Sequence, residues 1–224
     1  MSLAQRAAYR RALGTAGRTL VAVSSTWGPG SLAALCPDLL PQIMRELPGG
    51  EYQVAAIMHP HAWYWHGQRQ IRAWLSACVR RGMVLVPPEE GWRAVLAAAD
   101  LVVGDHGSVT CYGASAGVPV LLGAFPGEHV VPDSAVAELG RTVARLKPGQ
   151  PVVPQLRRAA LAWPPGASAS LRSRITDVPG QSARILRSVM YELMDLPEPD
   201  AGPEVLPVPV PRPAAVARGF GVAG

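Results

Sequence analysis

The run from Ala99 to Phe125, ADLVVGDHGSVTCYGASAGVPVLLGAF, constrains what this chain can fold into more than any other stretch. Leu101 to Val103 are apolar and β-favouring, Gly104 to Gly107 form a small-residue turn holding one acid and one imidazole, and Ser108 is placed to cap a following helix. Gly117 and Pro119 stop that helix, and Val120 to Leu122 enter a second apolar strand. Two apolar strands joined by a helix of about ten residues make a βαβ unit, so the strands should lie parallel in one sheet. Asp105 and His106 then fall at the carboxyl end of a strand and beside a helix N-terminus, the edge where open α/β sheets bind their ligands.

The upstream chain repeats the pattern. Arg18 to Ser25 is a continuous apolar strand ending in the hydroxyl-rich turn Ser24-Ser25-Thr26-Trp27-Gly28. Leu39, Leu40, Ile43, Met44 and Leu47 recur at helical spacing, and Pro48-Gly49-Gly50 closes that helix. Tyr52 to Met58 is a second buried strand delivering His59, Pro60 and His61, followed by an aromatic turn, Trp63-Tyr64-Trp65, and a helix from about Gly67 to Arg81. Met83 to Val86 is a short strand, and Trp92 to Ala98 a short helix leading into the opening stretch. The order βαβαβαβαβ predicts an α/β fold: a doubly wound, Rossmann-like parallel sheet with right-handed crossovers.

Beyond Phe125 the expected helices are Asp133 to Lys147, with Asp133 as cap, Pro154 to Trp163, and Gln181 to Leu196. Residues 1–17 read as an N-terminal helix and linker, with Ala4 to Leu13 a surface helix, and residues 18–196 as the folded domain. Residues 197–224, containing PVPVPRP, read as a disordered Pro-rich tail with too little bulky apolar material for a core.

Composition narrows the classes. The chain is 49% hydrophobic over 224 residues, mostly Ala, Val and Leu, enough for one sizeable α/β domain. No apolar run approaches the roughly 20 residues of a membrane span, which leaves peripheral membrane association open, and from the basic, helical AQRAAYRRAL no secretory signal is expected. Cys36, Cys78 and Cys111 have neither disulfide nor zinc spacing, so a reducing cytoplasm is the expected location. The net charge of +5 is carried almost wholly by scattered arginines, without a basic block, so no nucleic-acid partner is expected.

Four of the five histidines, His59, His61, His66 and His106, follow predicted strands. In a doubly wound sheet His59 and His106 would converge on one crevice with Ser24, Ser25 and Thr26. Two imidazoles, free hydroxyls and a helix N-terminus suit a phosphate ligand. One histidine could serve as general base while the amides of Ser108 and Val109 stabilise phosphoryl charge, and Gly104 and Gly107 permit close backbone approach. Asp105 reads equally as a helix N-terminal acid. His61, His66 and His129 read as structural, and a metal site from His59, His61 and His66 lacks an acidic ligand at suitable spacing. The absence of a Walker A sequence or of GxGxxG after the first strand argues against a P-loop ATPase or an NAD enzyme. No cofactor is expected.

Between Thr19 and Phe125, the ordered set SSTWGP, IMHPH and ADLVVGDHGSVTCYGASAGVPVLL resembles the C-terminal nucleotide-binding half of GT-B-fold transferases, most closely the CDP-glycerol glycerophosphotransferase group. It is also similar to nucleotide-sugar glycosyltransferases and UDP-N-acetylglucosamine 2-epimerases. The resemblance matches Thr26-Trp27, His59-Pro60 and Asp105-His106-Gly107-Ser108-Val109 in order. It implies that Thr26, His59, Asp105 and Ser108 face a nucleotide diphosphate, with His59 catalytic or phosphate-binding. Tyr112 stands where those families commonly carry an acid serving the ribose or acceptor.

The expected function is therefore transfer of a polyol-phosphate or sugar from a CDP or UDP donor to an acceptor hydroxyl. His59 and His106 are the catalytic candidates, and Ser25, Thr26, Asp105, Gly107, Ser108 and Val109 the nucleotide-binding ones. A GT-B enzyme closes two such domains, so an acceptor-domain partner or a homo-oligomer is implied. The alternatives are a non-catalytic docking subunit and a 2-epimerase-like hydrolase.

Overall fold

In a computed structural model, the residues described are 5–15, 17–89, 91–202 and 206–212. The elements run α1 (Arg6–Ala12), β1 (Thr19–Ser25), α2 (Leu32–Leu35), α3 (Leu39–Glu46), β2 (Tyr52–Met58), α4 (Pro60–His66), α5 (Gln68–Arg80) and β3 (Val84–Val86). They continue with α6 (Trp92–Ala98), β4 (Leu101–Gly104), α7 (Ser108–Ser115), β5 (Val120–Leu122), α8 (Ala135–Thr142), α9 (Val152–Leu161), α10 (Ala167–Ser173) and α11 (Ser182–Leu193).

Every strand pairing is parallel, in the order β3-β2-β1-β4-β5. β2, β4 and β5 are buried along their whole length, as expected of strands covered on both faces. Alternate β1 residues feed two cores: Leu20 and Ala22 pack with Leu96, Val102 and Leu139, while Val21 and Val23 pack with Ile43, Trp63 and Leu156. The crossovers from β1 and from β4 leave in opposite directions, so a crevice opens between their carboxyl ends. This is the switch point of a doubly wound sheet.

Several local expectations change. The run Trp63-Tyr64-Trp65 lies in α4 and not in a turn, because Pro60 occupies its first turn and His59 Nδ1 accepts from the His61 amide at 3.0 Å. Ser108 is the first helical residue of α7 and not its cap; Gly107, in extended conformation, holds the cap position without a side-chain bond. The cap of α8 is Ser134, whose hydroxyl accepts from Ala137 N, while Asp133 sits in the left-handed region at φ 62°.

The N-terminal helix is no bland surface element. Tyr9 is 0% exposed, and Arg6 and Arg10 both pair with Asp100. Nor do residues 206–212 stand apart from the body, as the composition of the tail suggests: Val208 packs on the core and takes the Tyr9 hydroxyl on its carbonyl at 2.7 Å, and Pro211 is buried. Residues 1–4 and 213–224, to which the readings of the N-terminal helix and the tail extend, lie outside the described residues.

Candidate functional site

Asp105 organises the switch point. It is 0% exposed, and its carboxylate accepts three backbone N–H groups: Thr26 at 2.8 Å and Leu32 at 2.8 Å on Oδ2, and Gly107 at 2.9 Å on Oδ1. Burial pushes its carboxyl above the usual range, and the amides of Leu32, Thr26 and Gly107 oppose that push. The residue therefore ties the loop after β1 to the turn after β4. It shapes the crevice with its backbone partners, since its own oxygens are already engaged.

A side chain is excluded at Gly104 and would be crowded at Gly107, on the two sides of this lock. A Cβ at Gly104 would overlap the Thr110 hydroxyl, so the space beside Gly104 serves the packing of α7 on β4 and not a ligand. A Cβ at Gly107 would stand 3.0 Å from Asp105 Oδ1 and 3.1 Å from Thr26 Cβ. Immediately beyond, exposed Ser108 and half-buried Val109 open α7 with backbone amides that no preceding turn of helix can accept. The first turn of α7 carries no acid of its own; the Asp105 carboxylate meets the N-cap amide of Gly107, and the amides that follow face the crevice.

The hydroxyls of β1 are less available than their residue types suggest. Ser24 and Ser25 are buried, and Ser25 Oγ donates to the Thr26 carbonyl and accepts from Ala33 N, both at 3.0 Å. Thr26 is half-buried and beside Gly107.

The two histidines occupy opposite sides of the β1 loop. His59 follows β2, and its amide donates to the Ser25 carbonyl at 3.0 Å. Because Nδ1 accepts from His61 N, the neutral ring carries its proton on Nε2. Burial lowers the His59 pKa, His61 lowers it further, and Asp105 works in the other direction. His106 follows β4 with its Cε1 facing Gly30, and its buried Nδ1 has no hydrogen-bond partner among the described residues. β1 lies between β2 and β4, two interstrand steps of about 4.8 Å each, so the imidazoles straddle the crevice from strand ends about 10 Å apart.

His61 and His66 are held by aromatic rings: His61 lies 4.0 Å from the Trp27 ring and His66 4.9 Å from the Trp74 ring, centroid to centroid. The side chain of His129 lies outside the described ones. Among the described residues no group of three His, Cys, Asp or Glu side chains is arranged to hold a metal ion. Tyr112 stacks on Trp92 at 5.9 Å, with the Arg93 guanidinium over Trp92. The amide of Leu32 is the site element hardest to find in sequence, since only the fold brings it to Asp105. An acid placed directly after an apolar strand and before a helix is the one signal that pointed there.

No family model and no curated protein matches the chain. Solved structures do. Anabaena HepE in complex with UDP and glucose superposes with a TM-score of 0.54 at 16% identity, over 88% of this chain and 53% of that one. The wall teichoic acid polymerase TagF superposes with a TM-score of 0.54 at 11% identity, over 86% of this chain and 46% of that one. The chain thus spans about half the length of these two proteins. Its α/β, Rossmann-like architecture is that of a GT-B half-domain fold.

Proposed function

We propose that this domain binds the diphosphate of a nucleotide-linked donor at the switch point and transfers the donor's sugar or polyol-phosphate to an acceptor hydroxyl, working with a second half that supplies the acceptor. The observation that carries this reading is the three-amide lock of Asp105, which holds the β1 loop and the α7 N-terminus as one preformed edge. The likeness of fold to HepE and TagF, solved with UDP and glucose and with CDPG, supports it.

The chemistry follows from the groups at that edge. When the donor bond breaks, negative charge grows on the leaving diphosphate, and the amides of Ser108 and Val109 with the α7 dipole stabilise it. His59, with its proton on Nε2, acts as a hydrogen-bond donor to a phosphate oxygen; its tautomer is the wrong one for a general base on that side. The buried Nδ1 of His106, on the opposite wall, has no hydrogen-bond partner among the described residues. Tyr112, stacked on Trp92, offers a ring face and a hydroxyl where an acid would hold a ribose, so sugar recognition relies on different contacts.

Calorimetric titration with UDP and CDP tests the reading. One of them is expected to bind and to raise Tm. Absence of both heat and a thermal shift with either nucleotide would overturn it. His59→Asn keeps an N-cap acceptor for α4 while removing Nε2, so it should weaken binding without unfolding the helix.

A further inference from the structure

A cavity of about 680 Å³ lies beside the switch point, on the face of the sheet covered by α3 and α5. Its floor is apolar: Val23 and Met58 from the strands, Leu39 and Leu40 from α3, Ile71 and Leu75 from α5. Three indoles line its mouth, with Trp27 51%, Trp65 74% and Trp74 57% exposed. No Asp, Glu, Lys or Arg is among the described residues lining it.

The hydroxyls of Ser25 and Ser31 are engaged within the protein, and the imidazoles pack against indoles. Ser25 Oγ bonds Thr26 O and Ala33 N, Ser31 Oγ accepts from Ala34 N, and the His61 and His66 rings lie against Trp27 and Trp74. A charged group would lose its hydration on the floor with no ionic partner in return. Size narrows the occupant further. A helix about 10–12 Å across would fit only one to two turns into this volume. A single benzene-sized ring fills roughly 150 Å³ and would leave most of it empty. A long, flexible hydrocarbon chain can fold along it, and the volume lies within the roughly 300–1,000 Å³ of ligand sites.

We infer that this cavity seats one aliphatic chain of an amphiphilic molecule. The chain lies against Ile71, Leu75, Leu39 and Leu40, and the polar end emerges beside Trp27 and His61 at the carboxyl edge of the sheet. An acceptor or donor with a hydrocarbon tail would thereby present its head next to the α7 N-terminus. That placement of the head rests on the proposed function; the seat of the chain does not.

The test is a series of n-alkyl glucosides from hexyl to dodecyl, added below micelle-forming concentrations to the full chain, with tryptophan emission and calorimetry as readouts. Affinity should tighten about fourfold per added methylene throughout the series, because even a dodecyl chain is smaller than the cavity. Ala33→Trp, at an exposed lining position, should weaken octyl glucoside binding at least tenfold with Tm unchanged. Affinity independent of chain length, or undiminished in Ala33→Trp, overturns the proposal. UDP and CDP titrations on the same samples separate the two readings. Chain-length-dependent binding without nucleotide binding sinks only the transferase reading, and nucleotide binding with a flat alkyl series sinks only this one.

Discussion

The two ends of β4 carry an aspartate each, and they solve the same problem in opposite ways. Asp100, before the strand, pairs with Arg6 at 2.6 Å and Arg10 at 2.8 Å, accepts the Leu20 amide at 2.8 Å, and keeps about a third of its side chain in solvent. Asp105, after the strand, is wholly buried and is met by three backbone amides and no guanidinium. The amino edge thus uses cations to strap α1 onto the sheet. The carboxyl edge uses peptide dipoles, which hold the acid in place without a side-chain cation. A stability device and a site device share one short strand.

The largest effect should come from breaking the second device. Asp105→Ala leaves the Thr26, Leu32 and Gly107 amides without acceptors, at about 1–3 kcal/mol for each one that water cannot reach, for a total loss of about 3–5 kcal/mol in chemical denaturation. Asp105→Asn retains an oxygen for two of the three and should lose less than half as much. An Asp105→Ala loss below about 1 kcal/mol would show that the lock is not structural.

Asp100→Ala should cost about 1–2 kcal/mol, because its ion pairs are partly solvated and mainly the Leu20 amide is orphaned. The two ends should also differ in salt response. Raising ionic strength should narrow the gap between wild type and Asp100→Ala and leave the gap for Asp105→Ala unchanged. Equal salt sensitivity would erase the contrast.

Ser108→Pro probes the site edge alone. Proline is tolerated at the first position of a helix, and Gly107, at φ −74° and ψ 156°, already has the backbone that a following proline demands. The substitution removes one amide from the α7 N-terminus. Nucleotide diphosphate affinity should fall about tenfold, the worth of one charge-assisted hydrogen bond, with Tm nearly constant. Unaltered affinity would move the phosphate away from α7.

The strands were legible because their signal is local: long runs such as Leu20-Val21-Ala22-Val23 and Leu101-Val102-Val103 fit only a sheet covered on both faces. Their order along the chain then put Thr26, His59 and Asp105 at one edge, through the right-handed crossover rule. What escaped depends on partners distant in sequence. Tyr9 looks like a surface residue until α6 and Val208 close over it, and Asp105 looks like a ligand contact until Leu32 reaches it from the far side of the β1 loop. The helix α4 hid for a different reason: three adjacent aromatics mask a cap made by the unusual means of an imidazole nitrogen.

That imidazole yields the smallest and sharpest effect. In the folded chain, the bond from His61 N to His59 Nδ1 requires an unprotonated Nδ1, and burial disfavours the cation, so the folded pKa lies below the ordinary 6.5. The neutral form is therefore the one the fold prefers. Its contribution to stability is complete above pH 6.5 and is lost as pH falls through the folded pKa, when an Nδ1–H would oppose the His61 amide and loosen the first turn of α4. NMR titration of the His59 Hε1 resonance should show the depressed value, and His59→Asn should remove this part of the acid destabilisation. Adding the nucleotide that binds should shift the same resonance to titrate at higher pH, because phosphate charge near Nε2 favours the imidazolium. A His59 titration that nucleotide leaves unmoved would place the diphosphate with α7 and His106 alone, and the crevice would then have one working wall.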